Sequence, residues 1–119
     1  MSQQDIQRFN TTPVMSAVTV FNNGVYLSGQ VPKNPDLDIE GQTRDVLATI
    51  EQLLASANSD KSRLLSVQLF LKDLADFPKV NAIYVDWLKD CVAPSRATIQ
   101  ADLVNPNWLI EIAVIAALP

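Results

Sequence analysis

The stretch from Trp108 to Leu118 constrains the fold more than any other part of the chain. Ile110, Ile112, Val114, Ala116 and Leu118 fall on one side of an extended strand. Leu109, Ala113, Ile115 and Ala117 make the other side apolar as well, with Glu111 the single charge. Because side chains alternate across a strand, such a segment needs cover on both faces. Helices can cover one face of a sheet. A second subunit, closing by symmetry, covers the other, since large exposed apolar patches are rare on soluble proteins. A loop of the same chain folded over that face is the alternative.

The upstream pattern supplies the helices. From Asp38 onward Ile39, Val46, Leu47, Ile50, Leu53, Leu54 and Ala57 recur at helical spacing. This predicts an amphipathic helix of about 18 residues, capped by Asp36 or Asp38 and ended at Asn58, which tolerates the left-handed conformation. After a turn at Ser59-Asp60-Lys61-Ser62, the residues Leu65, Val67, Leu69 and Leu71 alternate with Ser66, Gln68, Phe70 and Lys72 as a strand does. Phe77, Val80, Ile83, Tyr84, Trp87 and Leu88 mark a second helix, with Asp76 as its N-cap and Pro78 in its first turn, ending before Pro94. Ala97, Ile99, Ala101 and Leu103 then alternate with Arg96, Thr98, Gln100 and Asp102, and Asn105-Pro106-Asn107 turns the chain into the last strand. Towards the start, Ser16–Phe21 and Val25–Leu27 form a hairpin about Asn23-Gly24, and Ile6–Asn10 is a candidate edge strand. The order is strands, helix, strand, helix, two strands, with no linker or repeat. An α+β sandwich follows, one domain over residues 1–119.

Composition narrows the function. With 119 residues, 48% of them hydrophobic, the chain suffices for one core and not for two. Its longest apolar run, Ile112 to Leu118, is far below the roughly 20 residues that cross a bilayer. Met1-Ser2-Gln3-Gln4-Asp5 has no signal-peptide pattern, so no membrane partner and a cytoplasmic location are expected. Cys91 has no second cysteine to pair with, which suits a reducing compartment. A net charge of −4 opposes a broad phosphate-binding surface, so nucleic acid is not expected as the main partner. The chain has no histidine, which removes the usual base of Ser and Cys nucleophile systems and the commonest transition-metal ligand. Any chemistry falls to carboxylates, Arg, Lys, Tyr, Cys or backbone, and no metal site is expected.

Two residues stand out. Arg96 follows Ala93-Pro94-Ser95 at the start of a strand, where its guanidinium fork can hold a carboxylate by two parallel hydrogen bonds. An exposed arginine, or one paired with Asp102, is the plain alternative. Glu111 interrupts an apolar strand, where a carboxylate is costly unless paired, protonated or used. An ion pair across the sheet and a functional role both satisfy that condition. In Ser28-Gly29-Gln30 the glycine permits close approach of a ligand or another backbone, or a simple bulge. Asp36, Asp38 and Glu40 alternate like calcium ligands, but helix capping accounts for them without the further Gly and Glu of a calcium loop. Cys91, with no histidine to activate it, reads as a passive, partly buried thiol.

Several segments together resemble the RidA/YjgF family. They are Val25-Tyr26-Leu27-Ser28-Gly29-Gln30-Val31-Pro32, Gln42-Thr43-Arg44, Phe70-Leu71-Lys72-Asp73-Leu74-Ala75-Asp76-Phe77, Val80-Asn81-Ala82-Ile83-Tyr84, Pro94-Ser95-Arg96 and Ile110-Glu111-Ile112, in family order over nearly the whole chain. The resemblance implies a chorismate-mutase-like (ferredoxin-like) fold: a mixed six-stranded sheet with two helices on one face, in a homotrimer whose sheets form a central barrel with three clefts between subunits. It implies no cofactor. The family's carboxylate-binding arginine falls on Arg96 and its cleft glutamate on Glu111. Asn81, Ser28, Gly29 and the backbone around Thr98 line the cleft by the same matching. Such members hydrolyse reactive 2-imino acids, or their enamine tautomers, to 2-keto acids and ammonia after pyridoxal-phosphate enzymes release them.

One departure is clear. Many deaminases of the family carry a tyrosine in an N-terminal Gly-Pro-Tyr motif, whereas Thr12-Pro13-Val14-Met15-Ser16 places Met15, or Val14 in a shifted register, at that point. The cleft is then more apolar than usual. Two functions fit: an imine deaminase using Arg96 and Glu111, or a non-catalytic trimer that holds a 2-keto acid on Arg96. The RNA-cleaving activity sometimes attached to the family fits an acidic chain without histidine least.

Overall fold

The computed structural model describes residues 5–119; Met1–Gln4, most of the polar start read above, lie outside the described residues. In chain order the elements are β1 (Gln7–Thr11), β2 (Ser16–Phe21), β3 (Gly24–Leu27), α1 (Ile39–Ser56), β4 (Leu64–Leu71), α2 (Phe77–Trp87), β5 (Ser95–Gln100) and β6 (Ile110–Ala117). The strands form one sheet in the order β1-β2-β3-β6-β4-β5. Only β4 and β5 pair in parallel, with α2 as the crossover between them. This is the mixed six-stranded α+β fold expected, and the most apolar strand, β6, sits inside it between β3 and β4.

One face of the sheet is the core. Ile39, Val46, Leu47, Ile50 and Leu54 of α1, with Val80 and Tyr84 of α2 and Leu88 just beyond it, cluster with Val67, Leu69, Leu71, Ile110, Ile112 and Val114. Each fully buried aliphatic side chain stabilises this layer by about 1.5 to 3 kcal/mol. The opposite face is open. Tyr26, Ile99 and Ile115 are 43%, 42% and 37% exposed there, so no loop of the described residues folds over it as the sequence allowed.

Asp38, not Asp36, caps α1, accepting from the Gly41 amide at 2.8 Å, and Asn58 takes the expected left-handed conformation with φ 62°. Gln42 holds the loop before α1 against the loop before β6. Its Nε2 donates to the carbonyls of Pro35, Leu37 and Asn107, and its Oε1 accepts from the Leu109 amide at 2.8 Å, all with the side chain fully buried.

Five local expectations need correction. The β2–β3 hairpin turns on Asn22-Asn23, with Phe21 opposite Gly24 and φ 53° at Asn22; Gly24 lies in the strand, where any Cβ would meet the Tyr26 ring at 2.8 Å. Leu65 is 53% exposed, because a register slip between Leu64 and Ser66 puts Leu64 in the core instead. Asp76 makes no side-chain cap; Asp73 accepts from Ala75 at 2.9 Å and starts a short 3₁₀ turn, Leu74–Asp76, that leads into α2. The strand after Pro94 stops at Gln100, short of Leu103, once its neighbour β4 has ended. The last strand starts at Ile110, since Asn105–Asn107 is a turn closed by the Trp108 amide on the Asn105 carbonyl.

Candidate functional site

Pro94 cannot continue a helix, and β5 begins beside it as the sheet's edge. In the parallel ladder Arg96 pairs with Val67 and Thr98 with Leu69. Both partners are core residues, so Arg96 and Thr98 lie on the helix side of the sheet. There Arg96 Nη1 donates to Asn81 Oδ1 at 2.7 Å. The guanidinium carbon lies 5.0 Å from the centre of the Tyr84 ring and 5.5 Å from that of Phe77. A guanidinium has five N–H donors in a rigid fork, and Arg96 is exposed with one of them engaged by Asn81. It makes no ion pair with Asp102 or any other acid among the described residues.

Beneath it, Tyr84 is 4% exposed and its hydroxyl has no hydrogen-bond partner among the described residues. Burial pushes the phenol pKa up, against the smaller opposing effect of the Arg96 charge.

Glu111 occupies a different place. It pairs with Phe70 across β4–β6 and alternates with the core residues Ile110 and Ile112, so it projects from the open face. It is half-buried, and no ion pair or side-chain hydrogen bond holds its carboxylate among the described residues; the ion pair the sequence allowed is not formed. Its neighbour is Gly29. Tyr26 lies opposite Ile115 but Gln30 opposite Ile112, so an extra residue is accommodated on the first strand at Ser28-Gly29. The bulge brings Gly29 so close that any Cβ there would run into Glu111 Oε2, with the carboxyl carbon 3.0 Å away. The bulge reading of this glycine therefore holds, and what approaches it closely is the Glu111 side chain. Ser28 fixes the bulge to β2, its hydroxyl donating to the Ser16 carbonyl at 2.6 Å and its amide to the Ala17 carbonyl at 3.0 Å. Met15, one residue earlier, ends a turn in which the Val14 and Met15 amides donate to Thr12 Oγ1, and is 56% exposed.

The predicted residues thus fall into two groups: Arg96, Asn81 and Thr98 on one side, and Glu111, Gly29, Ser28 and Met15 on the other. Along the sheet, Arg96 and Glu111 are two strands apart (roughly 10 Å) and offset by three residues (roughly 10 Å more), and they project from opposite faces. No short acid can touch both in one chain. Among the described residues no cluster of His, Cys, Asp or Glu converges as a metal site. No helix among the described residues is long and apolar enough to cross a membrane. Sequence reasoning missed the pairing of Arg96 with the α2 face. The available signal was the spacing of Phe77, Asn81 and Tyr84, four and then three residues apart, which puts all three on one helix surface.

Over residues 6–118 the chain matches the family described as Endoribonuclease L-PSP. A RutC family protein of Haemophilus ducreyi is 40% identical over 113 residues, 95% of this chain and 97% of that one. A protein of Acinetobacter baylyi named 3-aminoacrylate deaminase RutC is 38% identical over 104 residues, 82% of each chain. The crystal structure of a YjgF family protein from Neisseria meningitidis matches with a TM-score of 0.92 at 36% identity, covering 99% of this chain and 98% of that one.

Proposed function

The chain belongs to the RidA/YjgF family, and on that premise we propose that it deaminates short, reactive 2-imino acids to 2-keto acids and ammonia in a cleft between subunits of a homotrimer. The observation that carries this reading is the split of the site. An open guanidinium fork and a carboxylate without an ionic partner lie on opposite faces of one sheet, so they meet on one ligand only when a second copy brings its Glu111 to this chain's Arg96. The apolar open face around Ile115 is the surface such an assembly buries.

The chemistry asks for positioning more than power. Arg96 holds the substrate carboxylate by two N–H donors, with Asn81 fixing the fork and Thr98 beside it. Water adds to the imine carbon while Glu111 takes one of its protons. That proton passes to nitrogen to give a carbinolamine; the hydroxyl proton then follows to nitrogen by way of Glu111 as the C–N bond breaks, so that the carbonyl forms and ammonia leaves. The C=N bond is already electrophilic, so the reaction calls for neither metal nor cofactor. The name of the Acinetobacter relative supports C–N hydrolysis on a short carboxylate: 3-aminoacrylate, an enamine, carries its nitrogen on carbon 3 and hydrolyses through its imine tautomer. Met15, beside the Ser28-Gly29 bulge, gives the cleft an apolar wall that favours short aliphatic side chains. The net charge of −4 and the lack of histidine weigh against RNA as substrate.

The test generates 2-iminobutanoate and its homologues in place with an amino-acid oxidase or dehydratase and traps the surviving imine with semicarbazide. The protein is expected to lower trapping, and Glu111→Gln to remove that effect while 2-ketobutyrate still binds. Protection of no imine would favour a second reading, a trimer that binds a keto acid without turnover. Met15, where many deaminases of the family carry a phenol, is the feature that favours it.

A further inference from the structure

We propose that Tyr84, with Phe77, is a positioning residue for Arg96: the two ring faces hold the guanidinium so that its unengaged N–H edge faces the cleft. This rests on the reading of Arg96 as the carboxylate-binding group. Arg96 stands on an edge strand, exposed, on a long side chain with no ion pair among the described residues. Left to itself such a side chain populates many rotamers and pays side-chain entropy each time it grips a ligand. Three contacts from one face of α2 restrain it instead: the Asn81 hydrogen bond at 2.7 Å and the rings of Tyr84 and Phe77 at 5.0 and 5.5 Å.

The division of labour follows from the chemistry of the group. Asn81 uses one N–H, so a larger set of polar contacts would compete with the ligand for donors. A ring face attracts the cation through its quadrupole and takes no donor at all. An acidic partner would fix the guanidinium more firmly, but it would neutralise the charge that a carboxylate ligand needs. Tyr84 serves as a neutral platform. It is 4% exposed, packed in the core with Val80 and Leu88, and burial keeps its phenol protonated. Its hydroxyl bonds to nothing among the described residues, so the aromatic face, and not the phenol oxygen, is the part that meets Arg96.

The experiment compares Tyr84→Leu, Tyr84→Phe, Phe77→Leu and Arg96→Ala in the full-length chain. Calorimetry with 2-ketobutyrate is combined with NMR of the Arg96 side-chain Nε–H and Cδ–H resonances. The expected result is a loss of about 3- to 10-fold in affinity for each Leu variant, in the range of exposed to partly desolvated cation–π contacts. Phe at 84 is expected to rescue, because it keeps the ring. In the wild type the Arg96 resonances carry ring-current shifts that the Leu variants lose and Tyr84→Phe keeps. Phe77 is only partly buried, so Phe77→Leu keeps the test valid if Tyr84→Leu fails to fold. Leu variants that bind as wild type while Arg96→Ala does not bind would overturn the positioning role and leave Arg96 as the carboxylate site. Equal losses in Tyr84→Phe and Tyr84→Leu would overturn it too, by assigning the effect to the hydroxyl. Wild-type binding by Arg96→Ala would instead sink the carboxylate reading, and the ring-current shifts, which need no ligand, would still report whether the rings hold Arg96.

Discussion

Replacing Gly29 by alanine separates stability from function in a way few substitutions here can. The added methyl would occupy the place of Glu111 Oε2, so the carboxylate has to move. The fold tolerates that move. Glu111 is the far end of a flexible side chain, and turning it off its present rotamer costs about 0.5 to 1.5 kcal/mol. Gly29 does not use a positive φ, so alanine brings no backbone strain. Restricting the unfolded chain returns about 0.4 to 1 kcal/mol. The two effects nearly cancel, and the melting temperature is expected to stay within about 5 °C of wild type for a chain of this size. Turnover behaves otherwise. If Glu111 handles water, a displacement of about 1 Å costs on the order of 100-fold, the lower end of what a positioned acid–base group supplies. Scanning calorimetry and the semicarbazide assay on the same sample read the two effects. Because both changes act on one carboxylate, Gly29→Ala added to Glu111→Gln is expected to cause little further loss. Wild-type turnover in Gly29→Ala, with the fold intact, would refute a role for the Glu111 carboxylate in its present position.

Other consequences are simpler. Arg96→Ala is expected to weaken 2-ketobutyrate binding by roughly 30- to 1000-fold, the value of a bidentate charge-assisted contact, with Lys recovering only part of it; titration calorimetry reads both. Gln42→Met leaves the Leu109 amide unpaired and three carbonyls short of a donor, a cost of about 3 to 5 kcal/mol in urea unfolding. Ile115→Arg places a charge on the open sheet face, and sedimentation is expected to fall from near three times the 13.1 kDa chain mass to a single chain. Tyr84 has a raised pKa in the folded chain, so its contribution to stability is full below the unfolded value near 10 and is lost as pH rises through the higher folded value. Tyr84→Phe removes that part of the alkaline decline in urea unfolding measured across the range.

What the sequence made legible were the parts governed by local period. The apolar stripe of α1 predicted its 18 residues, and apolar side chains on both faces marked β6. Leu65 was misplaced because one slipped residue inverts every inside–outside assignment before it, and nothing local distinguishes Leu64 from Leu65. Asn23-Gly24 misled for a related reason: Asn22 is as able to take a positive φ as glycine is to permit one, and the pairing of Phe21 with Gly24 decides between them. Arg96 and Glu111 were each conspicuous. Their separation was not, since it depends on the order β6-β4-β5 and on two registers set by long-range pairing. Gln42 lay on the buried stripe of α1 between Ile39 and Val46, which marks it as special, but two of its four partners, Asn107 and Leu109, come from a loop distant in sequence.

Under the proposed function, the placement of Glu111 gives assembly and chemistry a common cause. On β6, Ile110, Ile112 and Val114 face the helices, and Glu111, Ala113 and Ile115 face the open side. The strand that offers the apolar contact for a second copy therefore carries the carboxylate on the same face. Burying the 37% of Ile115 still exposed contributes on association about a third of the roughly 1.5 to 3 kcal/mol of a fully buried side chain, and the same contact removes water from around Glu111, where fewer solvent dipoles then compete for it. In an isolated chain Arg96 and Glu111 project from opposite faces of the sheet. Under the proposed function, dilution that separates the subunits extinguishes turnover at the same concentration at which it dissolves the interface, because neither half of the site holds both groups that the reaction needs.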